Sequence, residues 1–471
     1  MAPHERCRGA VFRTHMKNFS QEGLWIHFSR WSVSMLLDFT VSNHQCFATE
    51  AGLSFVSPSL RTQTPGAGRT WSDVTSRVAA VFGPNASGKS TILSAVGLLG
   101  RAIAEPGTRL HWPYAAAAAA QTPTAYDVDF TVDEVRYHYE LEAMAWGIRR
   151  ESLHSCPRGT RRRLFVREQT GPEAPIVVRA GSSLKGPTAE VRRLVTPGDL
   201  LLAVAARYRH DALQPIARGL RTGASTSVVG RSDDDQQVRL QWLMSRMIED
   251  PQRWNGIVDV LAHVADLGVA SVRVEEKQVP QKILERMRAV LAAGSGDDPA
   301  EIPADAIAPV ARSLVFTHSG PAGESFELPL GSQSDGTVAW LAAAAPAVDV
   351  LRRGGLLVVD ELDASLHPAL SSALVTMFKD RDVNPRGAQL LFSSHDTALL
   401  GNAPSRLLGR DEVWFCEKDD AGASELVPLS AYATRRGDNE QKRYLTGRFG
   451  ALPRVDLSGL LGIVSDPDGA E

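Results

Sequence analysis

The chain has little of what would tie it to a membrane, a disulfide scaffold or a long extended arm. Only four cysteines occur in 471 residues, at Cys7, Cys46, Cys156 and Cys416, and no two form a C-x-x-C pair. That scarcity argues against structural zinc and a disulfide framework, and it fits a reducing cytoplasm, the expected location. No stretch reaches the roughly 18–20 uninterrupted apolar residues needed to cross a bilayer, so no membrane partner is expected. The first residues lack the apolar core and small-residue cleavage site of a secretory signal. No heptad array is sustained, which excludes a long coiled-coil arm, and no internal repeat is visible. A surplus of one charge is missing too. The net charge of −3 argues against binding nucleic acid by overall charge, although a local basic groove stays open.

What is present is a core-forming composition, 43% hydrophobic and 22% charged, in a length that would suggest about three average domains. Its most informative run is Gly83-Pro84-Asn85-Ala86-Ser87-Gly88-Lys89-Ser90-Thr91. The β-type stretch Val78–Phe82 leads into it, and Ile92, Leu93, Ala95, Val96, Leu98 and Leu99 follow with helical spacing. This strand–loop–helix setting is what a phosphate-binding loop requires. Its glycines let backbone N–H groups of residues such as Asn85, Ala86, Ser87 and Gly88 curl around phosphate oxygens. The helix opening adds the positive end of its dipole, and Lys89 adds a point charge near the β- and γ-phosphates. Ser90, with Thr91 beside it, offers a hydroxyl to Mg²⁺, which favours hard oxygen ligands. A nucleoside triphosphate with Mg²⁺ is therefore the expected ligand.

Three further pieces turn a phosphate loop into a hydrolytic site. Gly354–Val359 is an apolar strand ending in Asp360-Glu361, where Asp360 suits the metal and Glu361 suits the general base that orients water. A second apolar strand, Gln389–Ser394, ends in His395, placed to hydrogen-bond the γ-phosphate if the two strands run parallel. Leu330-Gly331-Ser332-Gln333-Ser334-Asp335-Gly336-Thr337 opens a helix, and Ser334 with the Gly336 N–H can bind an anion there or simply cap the helix.

The order of phosphate loop, Ser-x-Gly turn, Asp-Glu strand and histidine resembles the ATP-binding-cassette class of ATPases, in particular its SMC/RecF-like branch. More narrowly, M-L-L-D-F-T-V-S-N-H-Q-C-F at 35–47 and D-E-L-D-A-S-L-H-P at 360–368 resemble the AAA-type ATPases of bacterial abortive-infection and restriction-linked loci. So do residues 260–269 and K-R-Y-L-T-G-R-F-G-A-L-P at 442–453. The chain departs from that family at residues 43–47, which lack its aromatic-basic-serine trio, and at Gln333, where an acidic residue is common. The resemblance implies an α/β P-loop NTPase of ABC/SMC-like type, with a mixed, mostly parallel sheet and a helical insertion lobe. It also implies that Ser334 reaches the γ-phosphate held by a second copy, so that ATP joins a homodimer or higher homo-oligomer. Residues 363–367 would occupy the stretch used to communicate across that dimer. A role in phage defence follows from the resemblance alone, with a separate effector protein as partner. The rivals are a RecF/SMC-like DNA-maintenance ATPase, for which DNA is the partner, and a non-catalytic ATP-dependent scaffold.

The expected organisation is a disordered extension at 1–34, which contains Trp25 and Trp31. An ATPase segment follows at 35–186, then a helical lobe at 187–300, a second ATPase segment at 301–455 and a flexible end at 456–471. The Arg158, Arg161, Arg162 and Arg163 cluster is read as a solvated hairpin turn. The tail residues Arg435, Arg436, Lys442, Arg443 and Arg448, set among Tyr432, Tyr444 and Phe449, suit either a partner surface or a cap on the sheet.

Overall fold

The computed structural model describes residues 34–452 except 62–63, 225–227, 230–232, 266–267, 296–309, 321–322, 365, 404 and 434–437. The expectations for residues 1–33 and 456–471, and for Arg435 and Arg436, lie outside the described residues. The chain forms two compact units.

The larger unit holds two sheets. Strands β1 (Ser34–Ser42), β2 (Ala51–Ser54), β4 (Thr124–Val132), β5 (Val135–Met144), β6 (Gly147–Cys156), β7 (Arg162–Glu168) and β8 (Val177–Ala180) make a seven-stranded antiparallel sheet in the order β2-β1-β4-β5-β6-β7-β8. Residues 135–141 alternate apolar with polar side chains, the mark of a strand with one buried face, and here β5 pairs in register with β4 and β6. The other sheet has the order β16-β15-β3-β14-β13-β9, with β3 (Val78–Phe82), β9 (Val228–Val229), β13 (Leu356–Val359), β14 (Gln389–Ser394), β15 (Val413–Lys418) and β16 (Ser424–Pro428). All its pairings are parallel except β15 with β16.

The helices of this unit begin with α1 (Trp71–Val74) and α2 (Lys89–Ala104), followed by α3 (Thr188–Arg192), α4 (Leu201–Arg207) and α5 (Gln214–Ala224). One hydrophobic cluster joins Phe39, Phe130 and Leu153 of the antiparallel sheet, Ala79, Val81 and Leu391 of the parallel sheet, and Ile92, Val96 and Leu99 of α2. The parallel strands are buried along their length, as their unbroken apolar runs demand.

The smaller unit takes in residues 231–348 and 365–370. It contains α6 (Asp233–Glu249), α7 (Pro251–Val264), β10 (Val269–Gln278), α8 (Gln281–Ser295), β11 (Val310–Ser319), β12 (Ser325–Pro329) and most of α9 (Asp335–Arg353). Strands β10, β11 and β12 form an antiparallel sheet. Trp340 of α9 is fully buried and donates its Nε1–H to the Leu261 carbonyl at 2.8 Å. The helical stretch expected over 187–300 is therefore divided. Residues 188–224 pack into the larger unit's core, and the alternating valines of 269–274 form a strand after Gly268, which adopts a left-handed φ of 63°.

Candidate functional site

The parallel register of β3, β14 and β13 sets the site. Phe82 pairs with Ser394, and Phe392 pairs with Val359, so the three strands end at one edge. Gly83, Asp360 and His395 are the residues that leave that edge. The phosphate loop runs from Gly83 to the start of α2 at Lys89. Two of its glycines are forced by close approach. A Cβ on Gly83 would stand 2.3 Å from the Cys416 carbonyl oxygen. At Gly88, with φ of 113°, it would meet Cys46 Sγ at 2.8 Å.

The loop fits a phosphate chain. Asn85, Ala86 and Ser90 are exposed, Thr91 is half-buried, and Ser87 Oγ is buried without a hydrogen-bond partner among the described residues. Lys89 is buried and donates from Nζ to the Gly83 and Pro84 carbonyls, each at 3.0 Å. Burial lowers its ammonium pKa, while Cys416, Glu361, Asp360 and Asp363 act in the opposite direction. The tandem carboxylates thus lie within electrostatic reach of the loop lysine. The Ser90 hydroxyl and the Asp360 carboxylate are hard oxygen donors of the kind Mg²⁺ takes.

Asp360 and Glu361 are held by a residue that the sequence reading passed over. Ser393 Oγ donates to Asp360 Oδ1 at 2.5 Å and accepts from the Glu361 N–H at 2.7 Å. Glu361 has φ of 50°, a left-handed conformation costly for a residue with a side chain. The signal was a pair of serines ending an otherwise apolar strand. Asp363, in the stretch expected to communicate across a dimer, accepts at Oδ1 from the His395 N–H at 3.0 Å, tying the exposed histidine to the turn after β13.

Ser334 and Gly336 belong to the smaller unit. Ser334 is exposed, and its Oγ lies 2.8 Å from Thr337 Oγ1 and accepts from the Thr337 N–H at 3.2 Å, so it caps α9. Gly336 is half-buried in the first turn of that helix.

The tail aromatics stack on the parallel sheet. Phe415 of β15 lies 5.3 Å from Tyr444, 5.1 Å from Phe449 and 6.0 Å from Tyr432 between ring centroids. Arg443 sits over Phe449 and pairs with Asp438, which gives this segment the capping role. Arg161 donates to Glu140, and Arg162 and Arg163 are exposed on β7, as a solvated hairpin requires.

Fold and loop together define a P-loop nucleotide-binding protein. Residues 78–401 match the family described as "AAA domain, putative AbiEii toxin, Type IV TA system", and the chain belongs to that family. Among solved structures, it is similar to the SMC head domain from Thermotoga maritima, at 13% identity and a TM-score of 0.41, covering 84% of this chain and 98% of that one. It is also similar to a structure of the SmcHead bound to the C-winged helix domain of ScpA, at 12% identity and a TM-score of 0.38, covering 83% and 97%. No curated protein matches the chain. No described helix is long and apolar enough to cross a membrane.

Proposed function

We propose that the chain binds ATP with Mg²⁺ and hydrolyses it slowly, at sites that a second copy completes. The observation that carries this reading is the shared strand edge, where Lys89 lies within electrostatic reach of Asp360 and Glu361, and Ser393 holds the Asp360 carboxylate and the Glu361 backbone N–H. Backbone N–H groups of 85–89 and the Lys89 ammonium bind the phosphates. Ser90 and Asp360 would hold the metal, which when bound neutralises charge on the β- and γ-phosphates. Glu361 accepts a proton from the attacking water and aligns it with the γ-phosphate. His395 hydrogen-bonds the γ-phosphate and registers its loss. Ser334, exposed at the start of α9, offers its hydroxyl and the helix dipole to the nucleotide of the other copy.

Steady-state phosphate release tests the chemistry. Lys89→Ala is expected to lose nucleotide binding, and Glu361→Gln to bind ATP but turn over at least about a hundredfold more slowly. Equal turnover by wild type and Glu361→Gln would remove Glu361 from the reaction. Family membership supports a place in an abortive-infection system, in which this ATPase senses infection and controls a separate effector. A DNA-maintenance role would instead show as DNA affinity that depends on ATP and falls steeply with salt. A scaffold would keep its cellular function in Glu361→Gln.

A further inference from the structure

Helix α2 starts at the phosphate loop, and its other end lines a cavity of about 300 Å³. The floor is apolar, built from Ile103 of α2, Ala203 of α4 and Ala217 of α5, all buried. Arg207, at the end of α4, and Arg218 and Arg221 of α5 form the rim. Gln214 lines the same space, and positions 214, 218 and 221 share one helix face. None of the three arginines pairs with a carboxylate among the described residues. Glu105 and Asp211, on the adjoining turns, are exposed.

Ordinary helix electrostatics explain part of this. Arg207 and Arg221 occupy the last turns of their helices, where the dipole favours a cation. Arg218 has no such reason, and three like charges lining one concave apolar floor repel one another unless an anion joins them. Guanidinium groups match phosphate oxygens in planar, bidentate fashion, and the Gln214 amide adds a further donor. The volume lies at the lower end of the roughly 300–1,000 Å³ typical of ligand pockets, which suits a small molecule rather than a polymer.

We propose that this cavity binds a small phosphomonoester of mononucleotide size, with its phosphate on Arg207, Arg218 and Arg221 and its less polar part on Ile103 and Ala217. The site is separate from the phosphate loop. Lys89 and Ile103 lie near opposite ends of one 16-residue helix, which spans about 24 Å.

The test uses the full chain carrying Lys89→Ala, so that the phosphate loop does not contribute. Isothermal titration with the four ribonucleoside 5′-monophosphates should find at least one that binds one per chain, tighter than about 1 mM. Inorganic phosphate should compete. Arg218→Ala and Arg221→Gln should each weaken that binding at least about tenfold, the loss expected for one charged hydrogen bond. In the otherwise unaltered chain, the same two substitutions should leave Mg-ATP binding and far-UV circular dichroism unchanged, which separates a lost site from a lost fold. The proposal is overturned if none of the four monophosphates binds, or if binding survives both arginine substitutions. An arginine-dependent affinity for an unphosphorylated single-stranded oligonucleotide that the monophosphates do not displace would also overturn it.

Discussion

Ser393→Ala removes one hydroxyl and tests how the tandem carboxylates are held. Ser393 is fully buried, and its Oγ bridges the Asp360 carboxylate and the Glu361 N–H. The bond to the charged Asp360 contributes about 1.5–3 kcal/mol, and the Glu361 N–H left without its acceptor costs a further 1–3 kcal/mol or so. The left-handed backbone of Glu361 stores roughly 1–2 kcal/mol that this hydroxyl restrains. Once it is gone, Glu361 can relax toward the right-handed region and carry its carboxylate off line. Part of these losses falls on folding and part on catalysis. A share of about 1.5–3 kcal/mol in the transition state corresponds to a kcat roughly 10- to 100-fold lower. ATP affinity should change far less, because Lys89 and the loop backbone are untouched. Steady-state phosphate release gives kcat, and equilibrium binding of ATP to the same variant separates affinity from turnover. A kcat within twofold of wild type would refute the reasoning, since the carboxylates would then be positioned by something other than Ser393.

Two further outcomes concern the antiparallel sheet. Glu151 is fully buried, and it accepts from the Leu201 N–H at 2.6 Å, the Leu202 N–H at 3.0 Å and the Tyr139 hydroxyl at 2.9 Å, with the buried Arg167 as counter-charge. Glu151→Ala should destabilise the fold by about 3–5 kcal/mol in urea denaturation, the usual cost of leaving a buried charge unpaired; a loss below about 1 kcal/mol would contradict this. For His138, burial opposes the charge, but hydrogen bonds to Asp129 and Glu140 and the carboxylates of Asp127 and Asp129 outweigh it and push its pKa up from 6.5 to about 9. Stability from this pair network is complete below pH 6.5 and is lost as pH rises toward 9. The stability difference between wild type and His138→Gln, about 1–3 kcal/mol at pH near 6, should therefore shrink by pH 9.5 or so. A difference that does not change with pH would mean that His138 is neutral throughout.

Much of the nucleotide edge was legible because its chemistry is local. The loop 83–91 and the Asp360-Glu361 pair each follow an apolar strand, and strand, loop and helix fit within one stretch of chain. The opening of the helix after Ser334 was equally legible, because a Ser-x-Gly turn is a local cap signal. The division of the helical stretch was not. Helices at 188–224 read like those at 233–264, and only packing assigns the first set to the core of the larger unit. Ser393 was hidden for a related reason, since its role depends on parallel pairing with a strand more than thirty positions away in the chain. Burial of the tail aromatics against Phe415 likewise needed the sheet to be in place before a cap could be told from a partner surface.

Central to the proposed mechanism is a nucleotide shared between two copies of the chain. Light scattering coupled to size-exclusion chromatography, on Glu361→Gln with and without Mg-ATP, measures this most directly. The mass should double, or step up by whole multiples, only with ATP, and stay monomeric in a Ser334→Arg, Glu361→Gln double variant still able to bind ATP. An unchanged mass in ATP-saturated Glu361→Gln, or a dimer indifferent to Ser334→Arg, would contradict it.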